Sequence, residues 1–216
     1  MSKTDSWRWQ VAQRAELQWW QSYLDGKEPE VYLSWKRDYW QNFIAQSELT
    51  IPTDAHILDA GCGPAGIFTV LPDNPVVALD PLHNQYTERL PHFQPADYPN
   101  VQFVSTPLET YRTTDQFDLI FCLNAINHVA DMEAALDSLI APLATGGTLA
   151  LSIDAHKRSL LKHIFRALPG DILHPQQHDL TDYHQALTSR GLSVERSILL
   201  KEEAIFDYYL LLATKC

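Results

Sequence analysis

The stretch HILDAGCGPAG, His56 to Gly66, decides how the rest of the chain is read. A short aliphatic run ends at Asp59. Gly61, Gly63 and Gly66 follow, and they permit a tight turn and close approach of backbone to a ligand at a helix N-terminus. Seventeen residues after Gly63 (63 to 80) a second aliphatic run, VVALDP, closes on Asp80, where a carboxylate can accept both hydrogen bonds of a ribose diol. Turn, spacing and acid together point to a cofactor that contains adenosine.

Working outward, short β-branched or aliphatic runs separated by Gly, Pro and Asp predict strands at His56 to Ala60, Val76 to Asp80, Val101 to Ser105, Phe117 to Leu123, Thr148 to Ile153, Ser193 to Lys201 and Asp207 to Ala213. Helices are predicted between them: a short one after Gly63, then Asn84 to Leu90, Met132 to Leu143, Lys157 to Ala167 and Leu180 to Ser189. Alternation of strand and helix implies an α/β fold, with a parallel sheet covered on both faces. Glu202 to Phe206 is too short for a crossover helix, so the last two strands form an antiparallel hairpin. Before Ile51 the texture differs. All six tryptophans lie in the first 40 residues, and apolar positions recur at three- and four-residue intervals. Two helices are expected, Ser6 to Leu24 and Glu30 to Gln46, divided at DGKEP. The organisation is then a helical cap over residues 1–50 and a cofactor-binding domain over 51–216, with Tyr32, Trp35, Tyr39 and Trp40 offered as pocket wall.

Composition bounds the function. Of 216 residues, 45% are hydrophobic and 20% charged, which are globular values and exclude disorder and fibrous repeats. Sixteen Lys and Arg against 27 Asp and Glu leave a net charge of −11, which disfavours a nucleic-acid partner. The three cysteines are far apart and lack metal or disulfide spacing, which fits a reducing compartment. There is no secretory signal at the N-terminus, and the apolar run Tyr208 to Ala213 is too short to span a bilayer. A soluble, cytoplasmic protein with no membrane partner is expected.

Two cofactor classes satisfy the glycine turn, since Gly61, Gly63 and Gly66 also fit the GxGxxG of dinucleotide-binding turns. Three features favour S-adenosylmethionine over a nicotinamide. Asp59, two residues before the first glycine, would repel a pyrophosphate but attract a cationic amino group. The chain is short for a dehydrogenase, and the closing hairpin departs from the all-parallel dinucleotide sheet.

From Ile51 to Lys215 the chain resembles the class I S-adenosylmethionine-dependent methyltransferases. The blocks ILDAGCGPAG, VVALDP, VQFVSTPLET, FDLIFCLNAINHVAD and LATGGTLALSID are similar to that family's five motifs in order and spacing. The resemblance implies a Rossmann-like sheet of seven strands in the order 3-2-1-4-5-7-6 with strand seven antiparallel, and cofactor at the carboxyl ends of strands one, two and four. It further implies that Asp59, Gly61 and Gly63 line the methionine end, that Asp80 holds the ribose, and that Pro81 and Leu82 flank the adenine. Relatives often place an Asp after strand three for the adenine amino group. This chain reads Ser105 to Glu109 there, which leaves Thr106 or the backbone near Leu108 to hold the base. Leu123 and Asn124 would lie beside the sulfonium. Asn127 stands where relatives often have Glu, and is assigned with Tyr32, Trp35, Tyr39 and His174 to the acceptor pocket. His128 is the candidate catalytic base, since imidazole can take a proton near neutral pH; the alternative is that it buttresses the following helix.

His174 and His178 are spaced i, i+4, yet Pro175 and the Pro-Gly turn before them argue against a helical metal site, and no metal is expected. No N-P-P-Y tetrapeptide or Pro-Cys nucleophile follows strand four, so amino groups and carbon-5 of nucleic-acid bases are disfavoured as acceptors. The reading is a small-molecule methyltransferase, monomeric or homodimeric. A non-catalytic adenosyl-binding protein and, last, a nicotinamide oxidoreductase are the alternatives.

Overall fold

The computed structural model describes residues 7–156, 178–202 and 206–216. Strand β1 (Ile57–Ala60) is buried at every residue, as a central strand covered on both faces must be. β2 (Val76–Leu79) and β4 (Phe117–Cys122) flank it, both parallel. β3 (Val101–Val104) lies parallel beyond β2, and β5 (Leu143–His156) parallel beyond β4. β7 (Phe206–Lys215) inserts antiparallel between β5 and β6 (Leu192–Glu202). The order is β3-β2-β1-β4-β5-β7-β6, the one expected from the sequence. Chain direction across the sheet reverses at β1 and β4, so a crevice opens at their carboxyl ends.

Among the described residues, five helices pack on this sheet: α1 (Trp7–Leu24), α2 (Pro29–Ser47), α3 (His83–Arg89), α4 (Met132–Ile140) and α5 (Leu180–Thr188). Alternation within the strands divides the core. Leu58 and Ala60 join Leu136 and Leu139 of α4 and Leu187 of α5 on one face. Ile57 and Phe121 join Leu17 of α1, Leu33 and Phe43 of α2 and Tyr86 of α3 on the other. The N-terminal helices therefore share a hydrophobic core with the sheet. α2 starts at Pro29 in its first turn, with the Glu28 carboxylate accepting from the Glu30 N–H at 3.1 Å. It is pinned to the glycine turn where the Trp40 indole N–H donates to the Ala65 carbonyl at 2.9 Å.

Two elements differ from expectation. The helix predicted after Gly63 is replaced by two 3-10 turns, Gly63–Ala65 and Ile67–Val70. Gly66 is extended between them, and the Asp59 carboxylate accepts from the Phe68 N–H at 3.1 Å, so the turn is closed by a side chain instead of a continuous helical ladder. β5 begins at Leu143, five residues early, because Leu143 pairs with Phe117 ahead of a register shift. The predicted helix Lys157 to Ala167 lies outside the described residues.

Candidate active site

Three strand ends build the site. After β1, Gly61 and Gly63 take positive φ of 74° and 58°. A Cβ on Gly61 would lie 2.3 Å from the Ala125 Cβ, so the turns after β1 and β4 meet at a distance only glycine allows. After β4, Asn124 adopts φ 55°, in the left-handed region that asparagine tolerates better than most residues, and its N–H donates to the Ser152 Oγ of β5 at 2.8 Å. After β2, Asp80 is 5% exposed. Its Oδ2 accepts from the Gly63 N–H at 3.0 Å and its Oδ1 from the Leu82 N–H at 2.8 Å. The acid thus couples the glycine turn to the loop that follows β2.

These ends enclose a cavity of about 80 Å3. Of the residues singled out in the sequence, Gly61, Asp80, Pro81, Thr106, Leu108, Asn124 and His128 line it. Glu109 also lines it, and its carboxylate accepts from the Ala130 N–H at 2.7 Å, tying down the loop that carries His128. The His128 side chain is exposed, and its backbone N–H donates to the Ala125 carbonyl at 3.0 Å.

Other candidates lie away from the cavity wall. Asp59, 2% exposed, lies under the turn with its carboxylate on the Phe68 amide. Gly63 contributes its N–H to Asp80, and Leu82 and Leu123 are buried in or beside the core. Tyr32 packs in the core against His92, Trp35 is 51% exposed on the outer side of α2, and Tyr39 sits edge-on to Trp40. The Asn127 amide donates to Asp154 Oδ2 at 3.0 Å and accepts from the Tyr183 hydroxyl at 2.8 Å, a buried structural link. His174 lies outside the described residues. Helix α2 therefore supplies no wall to this cavity.

The sequence reading missed the roof, which comes from α1. Trp9, Gln13 and Glu16 face the cavity, at the i, i+4, i+7 spacing of one helical stripe. Trp7 and Val11 on the outer side are 66% and 43% exposed, whereas Leu17 and Leu24 further along anchor the helix in the core. At about 80 Å3 the cavity is smaller than the roughly 300–1,000 Å3 of typical ligand pockets, and it is partly open to solvent. Also missed was the pair Ser152 and Tyr208, in which the Tyr208 hydroxyl donates to Ser152 Oγ at 2.9 Å beside Asn124.

The charge distribution is unusual for a buried site. Burial, and then the facing Asp80 charge, push the Glu16 carboxyl up to about 7. Burial likewise raises Asp59 to about 7 and Asp80 to about 6, against the pull of their backbone hydrogen bonds. The compensating cation is Lys36, whose ammonium lies 4.6 Å from the Trp40 ring centroid and 4.8 Å from that of Tyr39. Burial lowers Lys36 to about 8, partly opposed by Asp59. Glu16, Asp80 and Glu109 line the cavity and Asp59 lies beneath the turn, an acidic surround suited to a cationic ligand with hydroxyl donors. Two amides near this turn that could meet a phosphate are already taken, Gly63 N–H by Asp80 and Phe68 N–H by Asp59. Among the described residues, no group of three metal-ligating side chains comes together.

A family model described as methyltransferase domain matches residues 32–197, about three quarters of the chain. The chain belongs to this methyltransferase family. Its match begins inside α2, so the α1 roof lies outside the family's common region. Trans-aconitate 2-methyltransferase of Variovorax paradoxus is 27% identical over 126 residues, covering 58% of this chain and 48% of that protein. Malonyl-[acyl-carrier protein] O-methyltransferase of Enterobacter lignolyticus is 34% identical over 118 residues, covering 53% and 45%. The chain spans about half the length of these curated relatives. The solved structure of Burkholderia thailandensis 1,6-didemethyltoxoflavin-N1-methyltransferase, with 1,6-didemethyltoxoflavin and S-adenosylhomocysteine bound, superposes with a TM-score of 0.60 at 16% identity over 96% of this chain and 88% of that one. That likeness is one of fold.

Proposed function

We propose that this methyltransferase-family chain binds S-adenosylmethionine at the carboxyl ends of β1, β2 and β4 and transfers its methyl group to a small molecule. The observation that carries the reading is Asp80: a buried carboxylate at the end of β2, tied to both the Gly63 and Leu82 amides and facing a cavity at the sheet's switch point. The residues fit the donor chemically. Asp80 offers acceptor oxygens for a ribose diol, Gly61 lets the donor approach the backbone, and the negative charge of Asp59 under the turn favours a cation above it. Relatives support both halves: S-adenosylhomocysteine is bound in the Burkholderia thailandensis enzyme, and the acceptors named for the relatives above include trans-aconitate and 1,6-didemethyltoxoflavin.

When bound, S-adenosylmethionine supplies a methyl group already activated by its sulfonium. What the chain adds is alignment and exclusion of water. Asn124, held by Ser152 and strained at positive φ, fixes the floor beside the reacting atoms. His128 accepts a proton at its imidazole from the acceptor's hydroxyl or amine. The first half of α1 closes over the filled site. Pro81 and Leu108, which line the cavity, contribute apolar surface to the base, and Asn127 orders the wall through Asp154 and Tyr183.

The same reading treats residues 1–50 as cap and 51–216 as the cofactor-binding unit of a cytoplasmic monomer or homodimer. No helix among the described residues is long and apolar enough to cross a membrane, and Cys62, Cys122 and Cys216 are all free thiols. The net charge of −11 supports a partner other than nucleic acid. The test is transfer of labelled methyl from S-adenosylmethionine to a panel of carboxylic acids, phenols and heterocyclic amines. Turnover on any member that His128→Ala abolishes supports the reading. Tight donor binding with no turnover on any acceptor would make the chain a binding protein instead.

A further inference from the structure

The loop after β3 brings one acid to the cavity, Glu109, whose carboxylate is engaged by the Ala130 N–H at 2.7 Å, and the structure places a second acceptor above the same cavity. Gln13 Oε1, on the inward stripe of α1, is fully buried and has no hydrogen-bond partner among the described residues. Leaving such an acceptor unsatisfied costs on the order of 1–3 kcal/mol, which a donor bound in the cavity would recover. On the opposite side, the Thr106 hydroxyl donates to the Ser105 carbonyl at 2.8 Å and the Ser105 hydroxyl donates to the Pro81 carbonyl at 3.2 Å. Both hydroxyl protons are turned back onto main chain. Their oxygens can still accept, but each is fixed against main chain; among the described cavity-lining side chains, Gln13 carries the buried oxygen that has no partner.

We infer that Gln13 is the base-reading residue of the site: its amide oxygen accepts a hydrogen bond from the exocyclic amino group of adenine when α1 closes over the bound nucleoside. This rests on the proposed binding of an adenosyl donor and adds to it the residue that selects adenine. The chemistry is complementary. A glutamine amide matches the donor and acceptor pattern on an adenine edge, pairing its oxygen with the 6-amino group and its nitrogen with a ring nitrogen. The placement agrees as well. Gln13 lies one turn before Glu16, which faces Asp80 at the ribose end, and Thr106, Pro107 and Leu108 form the opposing wall where a flat ring would lie. Closure of α1 is thereby coupled to recognition, because the helix gains its missing hydrogen bond only over the correct base.

The test compares S-adenosylhomocysteine with its 6-deamino analogue, which carries purine in place of adenine, by titration calorimetry on the full chain. Wild-type protein should bind the adenine compound at least about tenfold more tightly, the loss of one hydrogen bond that leaves a buried acceptor unpaired. Gln13→Leu should close that gap to within about threefold by weakening only the adenine compound, and Thr106→Val should keep the wild-type gap. Gln13→Leu removes an acceptor that is unpaired in the apo chain, so the variant should melt at or above the wild type, and the wild-type comparison needs no variant at all. Equal affinities in the wild type, or a gap that survives Gln13→Leu or vanishes in Thr106→Val, overturn the inference while leaving adenosyl binding intact. Binding of neither compound by the wild type overturns the proposed function itself, and this inference with it.

Discussion

Replacing Asp80 by Asn separates stability from binding more sharply than any other change to this site. The carboxylate accepts from two backbone amides, Gly63 and Leu82. Asn keeps one acceptor oxygen and presents an NH2 to the other amide, a loss of roughly 1–3 kcal/mol. Against this, burial raises the Asp80 pKa from 3.8 to about 6, so at pH 8 the ionised form costs the folded apo protein roughly 2–4 kcal/mol that a neutral amide avoids. The two effects are of similar size and opposite sign. Apo Asp80→Asn should therefore melt within a few degrees of wild type at about pH 8, given roughly 2–4 °C per kcal/mol for a chain of this length. Binding has no such offset: the diol loses a charged acceptor, and affinity for S-adenosylhomocysteine should fall roughly 10–100-fold. Scanning calorimetry of the apo protein and titration calorimetry with the ligand give both quantities. A variant that melts far below wild type yet binds normally would show Asp80 to be a structural fastener, and would refute its assignment to the ribose.

The acid cluster also sets a pH dependence. Glu16, Asp59 and Asp80 all have folded pKa values raised above their unfolded ones, to about 7, 7 and 6. Their protonated forms favour the fold, so this contribution is whole below about pH 4 and is lost as pH rises through 6 to 7. The apo melting temperature should fall between about pH 5 and pH 8, and Glu16→Gln should flatten the fall; a wild-type curve that rises over this range contradicts the burial assigned to these groups. Gly61→Ala places a Cβ 2.3 Å from that of Ala125 at a φ of 74°, and should cost roughly 2–4 kcal/mol in thermal denaturation. An unchanged melting temperature would mean that the two turns are not in contact. His128→Ala should lower turnover on a hydroxyl or amine acceptor by roughly 100-fold or more while donor affinity and melting temperature stay put, because the side chain is exposed at the cavity rim. A lower melting temperature with turnover unchanged would assign it instead to buttressing the helix.

The sheet was legible in the sequence because its signals are local. Runs such as VVALDP and FDLIFC are short, aliphatic and bounded by turn residues, and only five residues separate the last two predicted strands, which forces the hairpin seen between β6 and β7. Asp80 and Gly61 were legible for the same reason, as each sits at a strand end that its own neighbours define. The roof was not. Gln13 and Glu16 are polar residues on an amphipathic helix, which ordinarily face water, and only the packing of α1 across the strand ends turns them inward. The signal available was the i, i+4, i+7 stripe of Trp9, Gln13 and Glu16, which the concentration of tryptophans obscured. Aromatic spacing in α2 announced burial or a wall without telling which: Tyr32 went to the core and Trp35 to the surface. Asn127 is tied to Tyr183, 56 residues away, and no local pattern reports such a link. The helix expected after Gly63 failed because Asp59, read as a ligand for a cation, spends its hydrogen bond on the Phe68 amide.

Titration calorimetry of the full chain with S-adenosylhomocysteine and, separately, with NAD bears most directly on the central claim. A cavity walled by Asp80 and Glu16, with the Gly63 amide of the glycine turn already held by Asp80, predicts one saturable site per chain for the adenosyl compound and no heat of binding for the dinucleotide. Saturable binding of NAD with silence toward S-adenosylhomocysteine would contradict it.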